Sequence, residues 1–182
     1  IKKREKRIDY INYEITNYMT LVSSLKMNES DSTTCNALYK CFSDIERIGD
    51  HAINIIQYST DEDNKLSSSK YIEDELHQLA SLLSKSFSLL STYSLDSQDE
   101  CFEKIERIED RIDELTASYR QAQIERLMEK KVNALDCVIY SEILTDVERV
   151  SDHIMNIIQE AKRCNFTLSD EAIQSDPALS AA

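Results

Sequence analysis

The sequence predicts an all-α protein, an antiparallel bundle of about five long helices built on a duplicated helical repeat. Three observations carry that prediction. The 182 residues contain one Gly and one Pro, Gly49 and Pro177, and a chain so poor in turn formers cannot build hairpins or a doubly wound sheet. Apolar residues recur three and four apart over long stretches, the spacing that places them on one face of a helix. The breaks between these stretches are short and polar, which favours antiparallel neighbours at shallow crossing angles.

The first helix is read from Ile8, Ile11, Ile15, Tyr18, Val22 and Leu25. It stops near Asn28-Glu29-Ser30-Asp31-Ser32, where Ser and Asp offer N-cap chemistry for a second helix over about 33–58. Residues 59–64, Ser-Thr-Asp-Glu-Asp-Asn, form a polar break. A third helix is expected over about 68–93, with Leu76, Leu79, Leu83, Phe87 and Leu90 on one face. Asp96-Ser97 opens a fourth, striped by Ile105, Ile108, Ile112, Leu115, Tyr119 and Ala122. A fifth runs from Asn133 or Ala134 to about Cys164. One domain over 1–164 is expected, with repeats at about 1–95 and 96–164. The Ser-, Asp- and Ala-rich residues 165–182 read as a flexible tail.

Charge narrows the function. Asp plus Glu number 34 against 21 Lys plus Arg, a net charge of −13. Nucleic acid, whose binding rests on Lys and Arg displacing phosphate counterions, is excluded as a partner. Cations or basic partners suit such a surface. No apolar run reaches the roughly 18–20 residues that cross a bilayer, and no signal peptide is visible. The chain opens on Ile1, which reads as a piece of something longer. Five cysteines without a C-x-x-C pair point to a reducing compartment and to thiols packed as small apolar residues.

The strongest signal is internal. Residues 44–57 read D-I-E-R-I-G-D-H-A-I-N-I-I-Q and residues 146–159 read D-V-E-R-V-S-D-H-I-M-N-I-I-Q, identical at nine of 14 positions. Unrelated segments would match at about one position, so the chain carries a duplication. On each helix one face is apolar (Ile45, Ile48, Ala52, Ile55 and Ile56; Val147, Val150, Ile154, Ile157 and Ile158). Glu46 and Asp50 lie i, i+4 on nearly the opposite side, as do Glu148 and Asp152. Such like-charge pairs repel, and a bridging cation removes that cost. One pair would be ordinary solvated surface. Its retention in both copies, while Gly49/Ser151 and Ala52/Ile154 diverged, makes Glu46, Asp50, Glu148 and Asp152 candidate ligands for a hard metal ion.

Neighbouring helices add acids: Glu106, Asp110 and Asp113 on one strip of the fourth helix with Glu109 beside it, and Asp9, Asn12 and Thr16 on the first. The first copy is poorer in carboxylates, so its site is expected to be the weaker. His51 and His153 point away from the acidic line, and a hydrogen bond to Asp44 or to a neighbouring helix is the expected role. Arg47 and Arg149 can pair with Asp44 and Asp146 at i, i+3. No nucleophile constellation stands out. One glycine cannot build a phosphate-cradling loop. The third residue after Glu46 is Gly49 and after Glu148 is Ser151, which removes the E-x-x-H signature of di-iron bundle enzymes.

E-R-I-G-D-H-A-x-N-I and E-R-V-S-D-H-x-x-N-I resemble the duplicated E-x-x-x-D signature of PhoU domains. The resemblance spans about residues 5–163 and is strong at the two signatures. Ile105 to Asn156 looks most similar to the cytosolic PhoU-like end of bacterial sodium/phosphate cotransporters, through Glu109-Asp110-Arg111-Ile112-Asp113 and Gln123-Ile124-Glu125-Arg126-Leu127, where Gln123 stands for the usual His. PhoU domains are all-α, bind metal ions or clusters through these acids, and act without known catalysis in phosphate uptake and its control. The resemblance therefore implies a non-enzymatic, metal-binding regulatory domain of a sodium-dependent phosphate transporter, with a free-standing PhoU-type adaptor as the alternative. It implies Glu46, Asp50, Glu148 and Asp152 as ligands of iron, zinc, magnesium or manganese, with Asp110 and Asp113 from the second repeat and Asp9 from the first. The implied partner is the membrane portion of a transporter, in the same chain or another, at the cytoplasmic face of the inner membrane. A homodimer is a further expectation, since bundle helices leave long exposed faces. The sixth helix of a free-standing PhoU has no counterpart after the second signature, and a helical interaction module without metal is the plainest reading.

Overall fold

A computed structural model describes residues 2–60, 66, 69–165 and 168. Five helices account for most of them: α1 (Lys2–Ser23), α2 (Glu29–Thr60), α3 (Lys70–Ser91), α4 (Gln98–Met128) and α5 (Ala134–Cys164), with a single 3-10 turn at Leu95–Ser97 before α4. No strand occurs among the described residues. The predicted polar break lies outside the described residues from 61 onward. So does most of the predicted tail, of which only Asn165 and Leu168 are described.

α2 begins about four residues earlier than its apolar pattern suggests. The cause is Asn28, whose Oδ1 accepts the Asp31 N–H at 2.8 Å while its Nδ2 donates to Asp31 Oδ2 at 2.8 Å. This satisfies a backbone donor that the first helical turn leaves without a partner. Asn133 caps α5 identically, accepting from the Asp136 N–H at 2.7 Å and donating to Asp136 Oδ2 at 2.8 Å. The two signature helices thus start with the same cap chemistry, although Asn133 stands three residues later in the repeat register than Asn28. α5 closes on Asn165, whose left-handed backbone (φ 54°) lets its N–H reach back to the carbonyls of Ala161 and Lys162.

α2 and α5, the two signature helices, run antiparallel at the centre of the bundle. Lys40 Nζ near the start of α2 lies 2.7 Å from Glu160 Oε1 near the end of α5. α1 packs on α2 and α4 on α5, while α3 lies across α4 and α5. Repeat 2 is consequently walled on more sides than repeat 1. Two core clusters reflect this: Tyr93, Cys101, Ile105, Val150, Ile154, Met155, Ile158 and Ala161 form one, and Ile72, Leu79, Ile112, Leu115, Tyr140, Leu144 and Val147 the other. α3 is also tied by charge, because Glu75 accepts from Arg126 of α4 at 3.0 Å and from the Tyr140 hydroxyl of α5 at 2.6 Å. A partly buried ion pair of this kind holds register more than it adds stability.

All five cysteines are free thiols. Burial, then the charges of Glu160 and Asp44, push the Cys41 thiol up to about 12, so it packs as an inert apolar group. Gly49, inside α2, faces Ile8 of α1, and a Cβ added there would sit 3.5 Å from Ile8 Cδ1. That is ordinary contact, and its counterpart Ser151 is already a larger residue. Gly49→Ala is therefore expected to stabilise the fold by about 0.5–1 kcal/mol, through the helix preference of Ala over Gly. Urea unfolding checks this, and a lowered midpoint would mean that α1 lies closer to α2 than described.

Candidate functional site

Each repeat sets the outer face of its signature helix against the inner face of the helix before it. In repeat 1 acidic residues of the two helices meet beside the Gly49–Ile8 contact. Glu5 and Asp9 of α1 and Asp50 of α2 present carboxylate oxygens that all lie within 4.8 Å of one another. Glu46 completes the group electrostatically: partial burial, then the charges of Asp50 and Asp9, raise its carboxyl above the ordinary value, with Arg47 opposing. Among the described residues this is the one triplet of His, Cys or carboxylate side chains so closely convergent. Glu5 escaped the sequence reading. Its signal was the same E-x-x-x-D spacing on α1 (Glu5 to Asp9) that marks the signature itself.

Repeat 2 holds the equivalent acids. Asp113 feels burial first, then Glu148, Asp152 and Asp110, and is raised despite Arg120. Glu109 is raised by burial, then by Asp113, Asp110 and Asp152. The shared neighbourhoods fix the register between the repeats: Glu5 matches Glu109, Asp9 matches Asp113, Asn12 matches Thr116 and Thr16 matches Arg120. Asp110 falls outside the equivalent of the triplet and sits exposed beside it.

The Thr16/Arg120 difference decides the chemistry. Arg120 grips Glu148 through both oxygens, Nη1 to Oε1 at 2.6 Å and Nη2 to Oε2 at 2.7 Å, and also reaches Thr145 Oγ1 at 3.1 Å. The Thr116 hydroxyl donates to Glu148 Oε1 as well. Burial works against ionising Glu148, but these bonds and the Arg120 charge outweigh it and hold its carboxyl below the usual range. Asp152 accepts from Arg149 at 3.3 Å. Repeat 2 thus carries its own cation, whereas repeat 1 has threonine at that place. The carboxylate count made the first copy the expected weaker site; among the described residues, the one close triplet of acids belongs to that copy. A carboxylate count along the sequence could not show this, because the deciding residue is an arginine two turns beyond Asp113.

The histidines take neither a ligand geometry nor a partner on their own helix. His51 Nδ1 lies 2.7 Å from Asp146 Oδ1 and His153 Nδ1 lies 2.8 Å from Asp44 Oδ1. The two rings stack across the α2/α5 seam, 5.6 Å between centroids and 25° between planes. These reciprocal pairs relate the repeats by a pseudo-two-fold axis through the seam. They also correct the expected Asp44/Arg47 and Asp146/Arg149 pairs: the aspartates serve the opposite repeat, and Arg149 turns to Asp152.

With this geometry in view, known proteins are informative. The family model of the PhoU domain matches residues 1–59 and 74–161. The chain is 28% identical over 126 residues to phosphate-specific transport system accessory protein PhoU homolog 1 of Thermotoga maritima, covering 68% of this chain and 53% of that protein. It is 24% identical over 125 residues to the corresponding homologue of Deinococcus radiodurans, covering 69% and 58%. The chain therefore spans little more than half the length of these curated relatives. The crystal structure of the phosphate transport system regulatory protein PhoU from Streptococcus pneumoniae superposes with a TM-score of 0.66 at 22% identity, over 89% of this chain and 75% of that one, a likeness of fold.

Proposed function

Since this chain belongs to the PhoU family, we propose that it is a non-catalytic regulator of phosphate transport whose first repeat binds a hard metal ion. The observation that carries the metal part is the convergence of Glu5, Asp9 and Asp50 within 4.8 Å, beside Glu46. Oxygens bound at about 2.0–2.6 Å to one ion lie up to roughly 5 Å apart across it, so the donor set fits magnesium or manganese, and iron or zinc with less preference. Glu5, Asp9 and Asp50 would hold the ion, which would neutralise their mutual repulsion and clasp α1 to α2. Glu46, already raised, is the nearest further donor.

The adaptor reading is favoured over a domain of a sodium/phosphate cotransporter. Both named relatives are accessory proteins of phosphate-specific transport systems. The partner is then a phosphate transporter, and the site serves to set the shape of the surface offered to it. Glu148, Asp152 and Asp113 act in this reading as an arginine-neutralised replica that keeps the second repeat folded without metal.

The test is metal content and thermal unfolding after chelation, with Mn(II), Mg(II), Fe(III) and Zn(II) supplied singly. At one hundred times the dissociation constant a bound ion stabilises the fold by about 2.7 kcal/mol. Wild type and Asp113→Asn/Asp152→Asn are expected to take up one ion per chain, and Asp9→Asn/Asp50→Asn none. Equal uptake by wild type and Asp9→Asn/Asp50→Asn would remove the metal reading. The regulatory part is read separately from phosphate uptake by cells carrying the chain and its transporter. Uptake indifferent to the chain at high and low external phosphate would refute it.

A further inference from the structure

Beyond the Arg120–Glu148 clasp, towards the turn that joins α4 to α5, the two helices part around a cavity of about 240 Å³. Its walls are mostly apolar. Gln123, Cys137, Tyr140 and Ser141 line it, and Ile124 and Val138 stand on its open side, 46% and 59% exposed.

Gln123 is the unusual member, because it is 1% exposed and only half satisfied. Arg126 Nη1 donates to its Oε1 at 3.2 Å, and a guanidinium can only donate. The amide oxygen therefore faces Arg126, and the NH2 group is turned away from it. Gln123 Nε2 is buried without a partner among the described residues. A buried donor without an acceptor destabilises the chain that holds it.

Repeat 1 shows that the fold does not ask for this donor. In the register derived above, Met19 stands for Gln123 and is likewise buried, whereas Thr20 and Asn36 stand for Ile124 and Val138 and are exposed. Repeat 1 thus keeps the ordinary order, apolar within and polar without. Repeat 2 inverts that order at three positions around one cavity. Ser141, small where repeat 1 has Tyr39, leaves room for a guest.

The walls specify its chemistry. An apolar cavity of about 150 Å³ holds benzene, so this one admits a ring with a short substituent. Gln123 Nε2 calls for a hydrogen-bond acceptor. Arg120 is committed to both oxygens of Glu148, and no other charged residue lines the cavity, so an anion would lack a counter-charge. Water fits less well, since a buried water makes about three hydrogen bonds and these walls are mostly apolar. We propose that the cavity binds a neutral, mainly apolar carbonyl compound, whose oxygen accepts from Gln123 Nε2 while its apolar part packs among Ile124, Val138 and Tyr140.

The cavity is separate from the acidic triplet, and its test uses the chelated 182-residue chain. Acetophenone and ethylbenzene serve as probes, alike in size, only the first having an acceptor. In NMR titrations of wild type, acetophenone is expected to bind saturably and to move the Gln123 side-chain amide protons downfield, and ethylbenzene to leave them without that shift. Gln123→Met, which copies repeat 1, is expected to melt no lower than wild type and to bind ethylbenzene unchanged. It should bind acetophenone about tenfold more weakly, the worth of one hydrogen bond to a buried donor. Ser141→Tyr is expected to lose both probes by filling the space. No saturable binding of acetophenone by wild type overturns the proposal, as does an unmoved Gln123 amide. Equal acetophenone affinity in wild type and Gln123→Met would also overturn it. So would undiminished binding in Ser141→Tyr, which would put the probe outside this cavity.

Discussion

Ile154→Ala is expected to lower the unfolding free energy by about 2–5 kcal/mol, the range for truncating a buried branched side chain. Ile154 is fully buried and packs in the cluster with Tyr93, Ile105, Val150 and Ile158. Its cluster joins α5 to Cys101 and Ile105 of α4 and to Tyr93, so the space left by truncation is bounded by several elements that cannot all close on it. For a chain of this size, each kcal/mol lowers the melting temperature by about 2–4 °C. Ile45→Ala, on the equivalent helix but 42% exposed, should cost well under half as much. Thermal and urea unfolding followed at 222 nm read both. Equal losses at the two positions would mean that the asymmetry between the repeats is absent in solution.

Arg120→Ala is the second large effect, and it links stability to the acidic sites. Glu148 would lose its bidentate partner and keep its charge beside Asp113 and Asp152. Leaving a partly buried carboxylate without its cation costs about 1–3 kcal/mol near neutral pH. In wild type the Glu148 carboxyl is held below its ordinary value. A depressed acid contributes stability that is complete above the unfolded value of about 4.3 and is lost as pH falls through the folded one. The deficit of Arg120→Ala should therefore be full at pH 7 and shrink on acidification below about pH 4. The variant would also give the second repeat what the first already has, convergent acids without a built-in cation. Metal uptake should rise from one to two ions per chain, the second lost in Arg120→Ala/Asp113→Asn/Asp152→Asn. A pH-independent deficit would place the Glu148 interaction outside the energetics of the fold. A full deficit without a second ion would show that Arg120 is structural alone.

The helices were legible because each is encoded locally. The stripe on α4 predicted the buried Ile105, Ile112 and Leu115, and Asn133 announced the start of α5. α1 is the instructive failure. Its stripe includes Tyr18 and Leu25, yet these are 67% and 66% exposed while Met19, off the predicted list, is buried. Apolar spacing reports that a helix has an apolar side, and α1 has more of it than α2 alone can cover.

The same distinction runs through the candidate site. Duplication and the i, i+4 rule placed Glu46, Asp50, Glu148 and Asp152 on matching outward faces from the sequence alone, since both are properties of one helix at a time. Which acids converge, which one an arginine neutralises, and which aspartate each histidine meets were decided only by tertiary structure. Glu5 meets Asp50, Arg120 grips Glu148, and His51 crosses to Asp146 because side-by-side packing sets the register of one helix against another. That register is the summed result of many weak apolar contacts along each helix seam, and no short motif contains it.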